Sequence, residues 1–234
     1  MSTFRVYMKS FFRWDVILFI TSILVFLIWP ELDLIIADAF YDRNSGEFLG
    51  DKPYILHLAY KIFAYIHFPL LLSLIFYSIY YHHRNRMSLK KRSLFLLCTL
   101  LLGPGLLVNI VLKDNSIGRA RPEQTVLYGG SSEFTSPFEY SGECRKNCSF
   151  TSGHASIGFA LIAVAWAARR RYYFIAGCVL GGLLGLMRMS QGAHFASDVL
   201  FSFWGVYFVS LCAAKYFRLN ISRTEFRDTL VSPQ

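Results

Sequence analysis

The sequence lacks several patterns that would divide it into separate units or make it a strand-based membrane protein. No low-complexity segment, internal repeat or soluble domain interrupts its 234 residues, so a single membrane domain over residues 1–234 is predicted. Segments that alternate apolar and polar residues are absent, and an open sheet edge cannot sit in lipid, so membrane-spanning strands are not expected. The first apolar segment has no small-residue cleavage signature behind it and is predicted to be a retained anchor, not a signal peptide.

Cysteine is scarce, and its placement leaves no complete zinc site built from two cysteine pairs. Of the five cysteines, Cys98, Cys178 and Cys212 lie within apolar segments and are predicted to be inert. Cys144 and Cys148 form a C-x3-C pair in a polar connection, but no second pair accompanies them. On an oxidising side of the membrane the two could form a local disulfide, with two free thiols as the alternative.

Long apolar runs dominate the composition. Hydrophobic residues make up 54% of the chain, and the mean hydropathy is +0.39. A bilayer core of about 30 Å needs about 20 apolar residues per helix. Six spans are predicted, at residues 16–29 (extended by Phe11, Phe12 and Trp14), 55–81, 94–112, 156–168, 172–186 and 199–216. The predicted fold class is therefore an all-α integral membrane protein with a bundle of six transmembrane helices.

The distribution of lysine and arginine predicts the orientation of this bundle. Basic residues cluster before the first span, at residues 84–92, at residues 169–171 and in the tail after the sixth span. The first connection, residues 31–52, is acidic instead. Both termini are thus predicted to be cytoplasmic, and connections one, three and five to face outward. The net charge of +9 reflects this topology beside an anionic membrane surface, and no nucleic-acid partner is expected.

Charged and titratable residues collect at helix ends on the predicted outward face. They are Lys113, Arg121, Ser152, Gly153, His154, Arg188, His194 and Asp198. Arginine offers a planar donor fork that matches phosphate oxygens, and a helix N-terminus that follows serine attracts anions through its free N–H groups. The alternative is that these arginines only extend to lipid headgroups. Three basic segments accompanied by two histidines and an aspartate favour a phosphate site.

The two histidines suggest the chemistry of this site. His194 and Asp198 are four residues apart, so on a helix they would share a face, and the carboxylate would fix the imidazole tautomer. The other ring nitrogen could then attack phosphorus and form a phosphohistidine intermediate. His154 would protonate the leaving oxygen and afterwards activate water. The cations would neutralise charge on the equatorial oxygens, so neither a metal nor a cofactor is required.

A metal centre is the competing interpretation of the same residues. His154, His194 and Asp198 could bind zinc, but the surrounding cations would repel it, so no metal is predicted. The remaining histidines lie elsewhere and are expected to be structural or interfacial: His57, His67, His82 and His83.

The three segments resemble the signature of the type-2 phosphatidic acid phosphatase superfamily, which also includes bacterial acid phosphatases and vanadium haloperoxidases. That signature reads K-x6-RP, then PSGH, then SR-x5-H-x3-D, and the third part keeps its spacing from Arg188 to Asp198. The sequence departs from it at three places: seven residues separate Lys113 from Arg121, Thr151 replaces the proline of PSGH, and Met187 replaces the serine before Arg188. None of these departures removes a charged or acid–base group.

A longer resemblance, over about residues 95–205, is to the bacterial lipid A phosphatase branch, especially its 4'-phosphatases. It includes "GPGLLVNIVLKD" and "GLMRMSQGAHFASDVLF". The resemblance implies a six-helix bundle in the cell inner membrane with a periplasmic active site. It also implies His194 as nucleophile, Asp198 as its orienting partner and His154 as acid and base. The implied phosphate-binding set is Lys113, Arg121, Ser152, Gly153 and Arg188.

The activity expected from this resemblance is removal of a phosphate monoester from lipid A or its precursor in the outer leaflet. The 4'-phosphate is the expected position, with lipid A 1-phosphate as an alternative. Undecaprenyl diphosphate and phosphatidylglycerophosphate are alternative substrates, and phosphate transfer to another lipid would use the same residues. A non-enzymatic transporter or lipid-binding protein is a further alternative, although no span shows the broken-helix repeats of many transporters.

Overall fold

The computed structural model describes residues 13–51 and 53–220 of the chain. The predicted extension of the first span by Phe11 and Phe12 lies outside these residues. In chain order the helices are α1 (Trp14–Ile28), α2 (Leu32–Asp38), α3 (Tyr54–Tyr65), α4 (His67–His83), α5 (Met87–Leu100), a π-helical segment (Leu101–Asp114), α6 (Gly153–Phe159), α7 (Val164–Ala168), α8 (Tyr172–Ser190) and α9 (Ala196–Tyr216). Short 3-10 turns cover Pro122–Gln124, Val126–Tyr128 and Ala160–Ala163. Strands β1 (Tyr41–Asp42) and β2 (Glu47–Phe48) form an antiparallel hairpin.

Among the described residues, four helices are long and apolar enough to cross a membrane. They are Tyr54–His83, Met87–Asp114, Tyr172–Ser190 and Ala196–Tyr216. A fifth is present if α1 and α2, which meet at an angle of 82°, form one bent span. The apolar helix Gly153–Ala168 is shorter than these. The structure thus has four to five helices able to span a membrane, and the count of six stays a prediction.

Glycines allow the short helices to pack closely. A Cβ on Gly158 would meet the backbone of Gly181, and a Cβ on Gly181 would overlap the ring of Phe159. A Cβ on Gly177 would likewise collide with Ile162. The backbones of α8 and of the α6 segment therefore approach each other directly, as expected for helix contacts through small residues. This contact orients the N-terminus of α6, which carries His154.

The connection between α8 and α9 is much shorter than the sequence indicated. Helix α8 continues to Ser190, so Arg188 lies in its last turn, and only residues 191–195 separate α8 from α9. The segment after β2 covers this connection, because Gly50 N donates to the Ser190 carbonyl at 2.7 Å. Phe48 packs where a side chain on Gly192 would lie. Residues from the N-terminal part of the chain thus cover the connection between α8 and α9.

Candidate active site

His194 lies just before α9 and is 1% exposed. Its Nδ1 is 2.7 Å from the Ser149 carbonyl oxygen, which can only accept a hydrogen bond, so Nδ1 carries the proton. In that tautomer Nε2 has a free lone pair. Nε2 is buried and has no hydrogen-bond partner among the described residues. The imidazole is therefore fixed with its unprotonated nitrogen available.

The surroundings of His194 keep the ring neutral. Burial lowers its pKa well below the ordinary value of 6.5, and the nearby cations Lys113, Arg188 and Arg121 lower it further. The same three cations are therefore close enough to act on this imidazole. A neutral imidazole with a free Nε2 lone pair is a competent nucleophile, and the positive surroundings attract an anionic substrate.

Asp198 contacts other groups more closely than it contacts His194. Its Oδ2 accepts bonds from Phe195 N at 2.8 Å and Ser149 Oγ at 2.5 Å, while His194 Nδ1 is 3.7 Å away. The predicted geometry of two residues on one helical face does not occur, because α9 begins at Ala196 and leaves His194 outside it. The carbonyl of Ser149 holds the imidazole, and Asp198 holds Ser149.

Arg119 and Asp33 are two buried residues that the sequence interpretation did not assign to the site. Arg119 Nη1 donates to Asp198 Oδ1 at 2.9 Å, and Nη2 donates to Asp33 Oδ2 at 2.8 Å. Ser197 N and Oγ also donate to Asp33. Arg119, Asp33 and Asp198 are each at most 1% exposed. This ion network fixes the N-terminal turn of α9, and its only signal in the sequence was an arginine two residues before Arg121.

His154 is the second residue of α6, and its Nε2 is buried without a partner among the described residues. Its ring stacks on Tyr60 of α3, with centroids 4.6 Å apart and planes 23° apart. The Arg188 guanidinium carbon lies 4.7 Å from the centroid of the same tyrosine ring. Tyr60 therefore contacts both a predicted acid–base residue and a predicted phosphate-binding residue. No motif or spacing distinguishes Tyr60 from the other aromatic residues of the predicted second span.

Two of the three predicted phosphate-binding cations have a hydrogen-bond partner among the described residues, and the third, Lys113, is buried. Lys113 is the penultimate residue of the π-helical segment and is 7% exposed. Arg188 Nη1 donates to Gln191 Oε1 at 2.5 Å, and its Nε has no partner among the described residues. Arg121 Nη2 donates to the Asn147 carbonyl at 3.1 Å. Arginine and lysine donors with unused hydrogen-bonding capacity suit a phosphate group.

Ser152 and Gly153 form the start of α6. Ser152 is fully buried, and its Oγ accepts a bond from Ala155 N at 3.4 Å, so the hydroxyl caps the helix. A Cβ on Gly153 would overlap the side-chain oxygen of Asn109 in the π-helical segment. The sequence predicted both residues as phosphate ligands; in the structure their local roles are a helix cap and a close backbone approach beside His154.

Cys144 and Cys148 form a disulfide in the structure, with Cα atoms 5.5 Å apart. The loop between them contains Asn147, whose N–H donates to Asp114 Oδ1 at 2.8 Å and whose carbonyl accepts from Arg121. The disulfide therefore closes a small loop that links the end of the π-helical segment to Arg121.

A cavity of about 400 Å³ opens beside His154. Its lining combines polar side chains, among them Lys113, Asn109, His154 and His67, with leucines of α4, α5 and the π-helical segment. Such a cavity suits a molecule with an anionic head and an apolar tail. In the described part of the chain, no group of three or more His, Cys, Asp or Glu residues could hold a metal ion.

Comparisons with known proteins show what the chain as a whole is similar to. The model of the PAP2 superfamily matches residues 92–221. The chain is 39% identical over 196 residues to a lipid A 4'-phosphatase of Francisella tularensis subsp. novicida, covering 78% of this chain and 87% of that protein. It is 30% identical to lipid A 4'-phosphatases of Rhizobium leguminosarum, over 75% of this chain and 83% of that protein, and of Rhizobium etli, over 85% and 82%. No solved structure matches the chain significantly.

Proposed function

The chain belongs to the PAP2 superfamily, and on that premise we propose that it is a phosphatase that removes the 4'-phosphate monoester from lipid A or a lipid A precursor. The observation that carries the chemistry is the neutral, buried His194 with a free Nε2 close to three cations. The names of the three relatives support the substrate.

The reaction follows from the positions of two imidazoles. His194 Nε2 attacks phosphorus while the P–O bond to the sugar breaks, and His154 gives a proton to the leaving oxygen. His154 then takes a proton from water, whose oxygen attacks the phosphohistidine and releases inorganic phosphate and free His194. Lys113, Arg121 and Arg188 neutralise charge on the transferring phosphoryl group throughout.

The cavity beside His154 supports a lipid as substrate. Lys113 and His154 line it together with Leu71, Leu100 and Leu101. An amphiphile bound there would bring its phosphate to Lys113 and His154 and place its hydrocarbon among the leucines. A water-soluble phosphate monoester would use only the polar groups and should be a much poorer substrate.

The proposed location is the cell inner membrane, with six spans, cytoplasmic termini and a periplasmic active site. The basic segments at residues 84–92 and 169–171 support this orientation. Single cysteines introduced at Arg145 or at Arg170 of a functional variant would test it. A membrane-impermeant thiol reagent applied to intact spheroplasts should label the first position and leave the second unlabelled.

The substrate is tested by mass spectrometry of lipid A from cells with and without the protein. Expression should remove one phosphate, and fragmentation should locate the loss at the 4' position. The His194→Ala variant should show no loss, while the Arg43→Ala variant, changed at an exposed arginine, should behave as the wild type. Turnover of undecaprenyl diphosphate without loss from lipid A would overturn the substrate assignment.

Two other outcomes would replace the proposed reaction. Recovery of labelled phosphate on a lipid acceptor instead of in water would indicate a phosphotransferase. Full function of the His194→Ala variant would indicate a lipid transporter or lipid-binding protein, because such a protein needs the cations but no nucleophile.

A further inference from the structure

Tyr60 contacts the site from a helix that otherwise contributes little to the protein core. No residue of α3 is fully buried. Tyr60 is nevertheless partly buried, and its ring contacts both the His154 imidazole and the Arg188 guanidinium. His154 belongs to α6 and Arg188 to α8. Among the described residues, no hydrogen bond joins these two side chains. The tyrosine ring is therefore a shared surface for two groups with separate tasks.

Both contacts suit a ring that faces positive charge. Aromatic faces attract cations electrostatically, and arginine stacks on them readily. Arg188 is charged, and His154 becomes an imidazolium in the proposed reaction each time it takes a proton from water. Lys113 lines the same cavity and repels that charge. An aromatic face beside the imidazole offsets part of this repulsion without adding a competing anion.

We propose that Tyr60 is a positioning residue, whose ring fixes the orientation of His154 and Arg188 toward the bound phosphate. This role rests on the proposed function of the site. The main chain of Tyr60 also hydrogen-bonds His154, and every variant keeps that bond. The two ring contacts should survive in phenylalanine but not in leucine, which has no aromatic face. Tyr60 also lies outside residues 92–221, the part matched by the family model, so the role is additional to the family signature.

The competing explanation is that Tyr60 merely contacts the lipid tail or fills space between helices. Ala59 and Phe63 of α3 are partly buried like Tyr60, whereas Tyr65 is 67% exposed and serves as the control. A lipid-contacting residue would affect lipid substrates alone. A space-filling residue would affect the stability of the protein but not the catalytic constants of the folded fraction.

Steady-state kinetics of four proteins separates these roles: the wild type and the variants Tyr60→Phe, Tyr60→Leu and Tyr65→Leu. Each is assayed on p-nitrophenyl phosphate and on a phosphorylated lipid, with active protein counted after size-exclusion chromatography. Tyr60→Leu should lower kcat about tenfold on both substrates, the order expected for loss of a cation–π contact. Tyr60→Phe and Tyr65→Leu should stay within about twofold of the wild type on this same scale.

Each other result would overturn the positioning role. A loss confined to the lipid substrate would make Tyr60 a lipid contact, and an equal loss in Tyr60→Phe would assign the effect to the hydroxyl. An unchanged kcat in folded Tyr60→Leu would leave only a space-filling role. If the wild type hydrolyses neither substrate, the proposed function fails separately from the role of Tyr60.

If the wild type hydrolyses neither substrate, proton NMR can still test the role of Tyr60, because it needs no turnover. In histidine-labelled protein in micelles, the carbon-bound ring protons of His154 should be shifted by the stacked aromatic ring. Tyr60→Leu should remove this shift, Tyr60→Phe should keep it, and His154→Ala identifies the signal. The same His154 shift in Tyr60→Leu and in the wild type would show that the stacked contact does not orient the imidazole.

Discussion

Arg119 and Asp198 form an ion pair that is completely buried, with Nη1 2.9 Å from Oδ1 and side chains 1% and 0% exposed. The second guanidinium nitrogen binds Asp33, from the N-terminal helix α2, at 2.8 Å. Asp198 in turn accepts a bond from Ser149 Oγ, and the Ser149 carbonyl holds His194. The position of the predicted nucleophile therefore depends on a charge network that begins far from it in sequence.

Replacing Arg119 by alanine should destabilise the protein by about 3–5 kcal/mol, because two buried carboxylates lose their cation. Unfolding in mixed micelles with increasing SDS measures this loss. Arg43→Ala is the control, since Arg43 pairs with Asp38 at a similar 3.0 Å but is 70% exposed. An exposed pair is worth about 0–1 kcal/mol. Equal losses in the two variants would contradict a structural role for the buried network.

His154→Ala should separate the two steps of the proposed reaction. General acid–base catalysis typically contributes about 10²–10⁴-fold, so kcat on a lipid phosphate should fall by that factor. On p-nitrophenyl phosphate the leaving group needs no proton, so phosphohistidine should form and accumulate. Labelled phosphate that stays on the protein after an alkaline quench and is released by acid measures it, because the N–P bond of phosphohistidine is stable in base and labile in acid. Protein-bound phosphate in His194→Ala would contradict the role of His194 as nucleophile. Its absence in His154→Ala would contradict the role of His154 in the second step.

The sequence indicates which residues form the candidate site, but not how they contact one another. Spacing from Arg188 to Asp198 and the helix-start pattern at Ser152 are local features, and local features are visible in sequence. The hydrogen bond from His194 to Ser149 depends on where α9 begins, and a helix boundary is uncertain by one or two residues. A shift of that size moved His194 out of the helix and changed its partner from a carboxylate to a carbonyl.

Asp33 and Tyr60 could not have been found by the same reasoning. Each contacts the site from a separate helix near the N-terminus, and such contacts depend on tertiary packing rather than on spacing along the chain. The predicted spans were close to the observed helices where hydrophobic runs were long, as in Ala196–Tyr216. The prediction of membrane spans is weakest at α1 and α6, because each of these helices is too short to cross a membrane alone.

Gly153→Ala should impair the site, because its Cβ would overlap Asn109 Oδ1. Overpacking of this kind typically costs about 1–3 kcal/mol and would displace the start of α6 with His154. Gly182→Ala is the matched control in α8, since its Cβ would meet nothing within 4 Å. That change should stabilise the helix by up to about 1 kcal/mol. Unfolding and kcat are measured on both, and normal activity of Gly153→Ala would show that α6 can shift without harm.

Stability should fall in acid because of His194. Its pKa in the folded protein lies well below 6.5, so below about pH 6.5 the unfolded chain binds a proton there that the folded protein does not. This loss of stability is absent above about pH 6.5. Below that pH it grows by up to about 1.4 kcal/mol for each pH unit. His194→Asn keeps a donor toward the Ser149 carbonyl and should lose the His194 part of this dependence. A part from His154 should remain, because burial and the nearby Arg188 lower the pKa of His154 to about 4. Identical pH dependence of unfolding in the two proteins would contradict a depressed pKa.

The disulfide between Cys144 and Cys148 should keep Arg121 in position through Asn147. Mass spectrometry of native protein isolated from membranes should find Cys144 and Cys148 unalkylated before reduction and both alkylated after it. Closing so short a loop stabilises by about 2 kcal/mol in the chain-entropy account. The double change Cys144→Ser and Cys148→Ser should raise KM several-fold with a smaller effect on kcat, because Arg121 is a proposed phosphate ligand. Cys212→Ser, at an exposed free cysteine, is the control. Two thiols reactive without reductant would show instead that Asn147 is held by its hydrogen bonds alone.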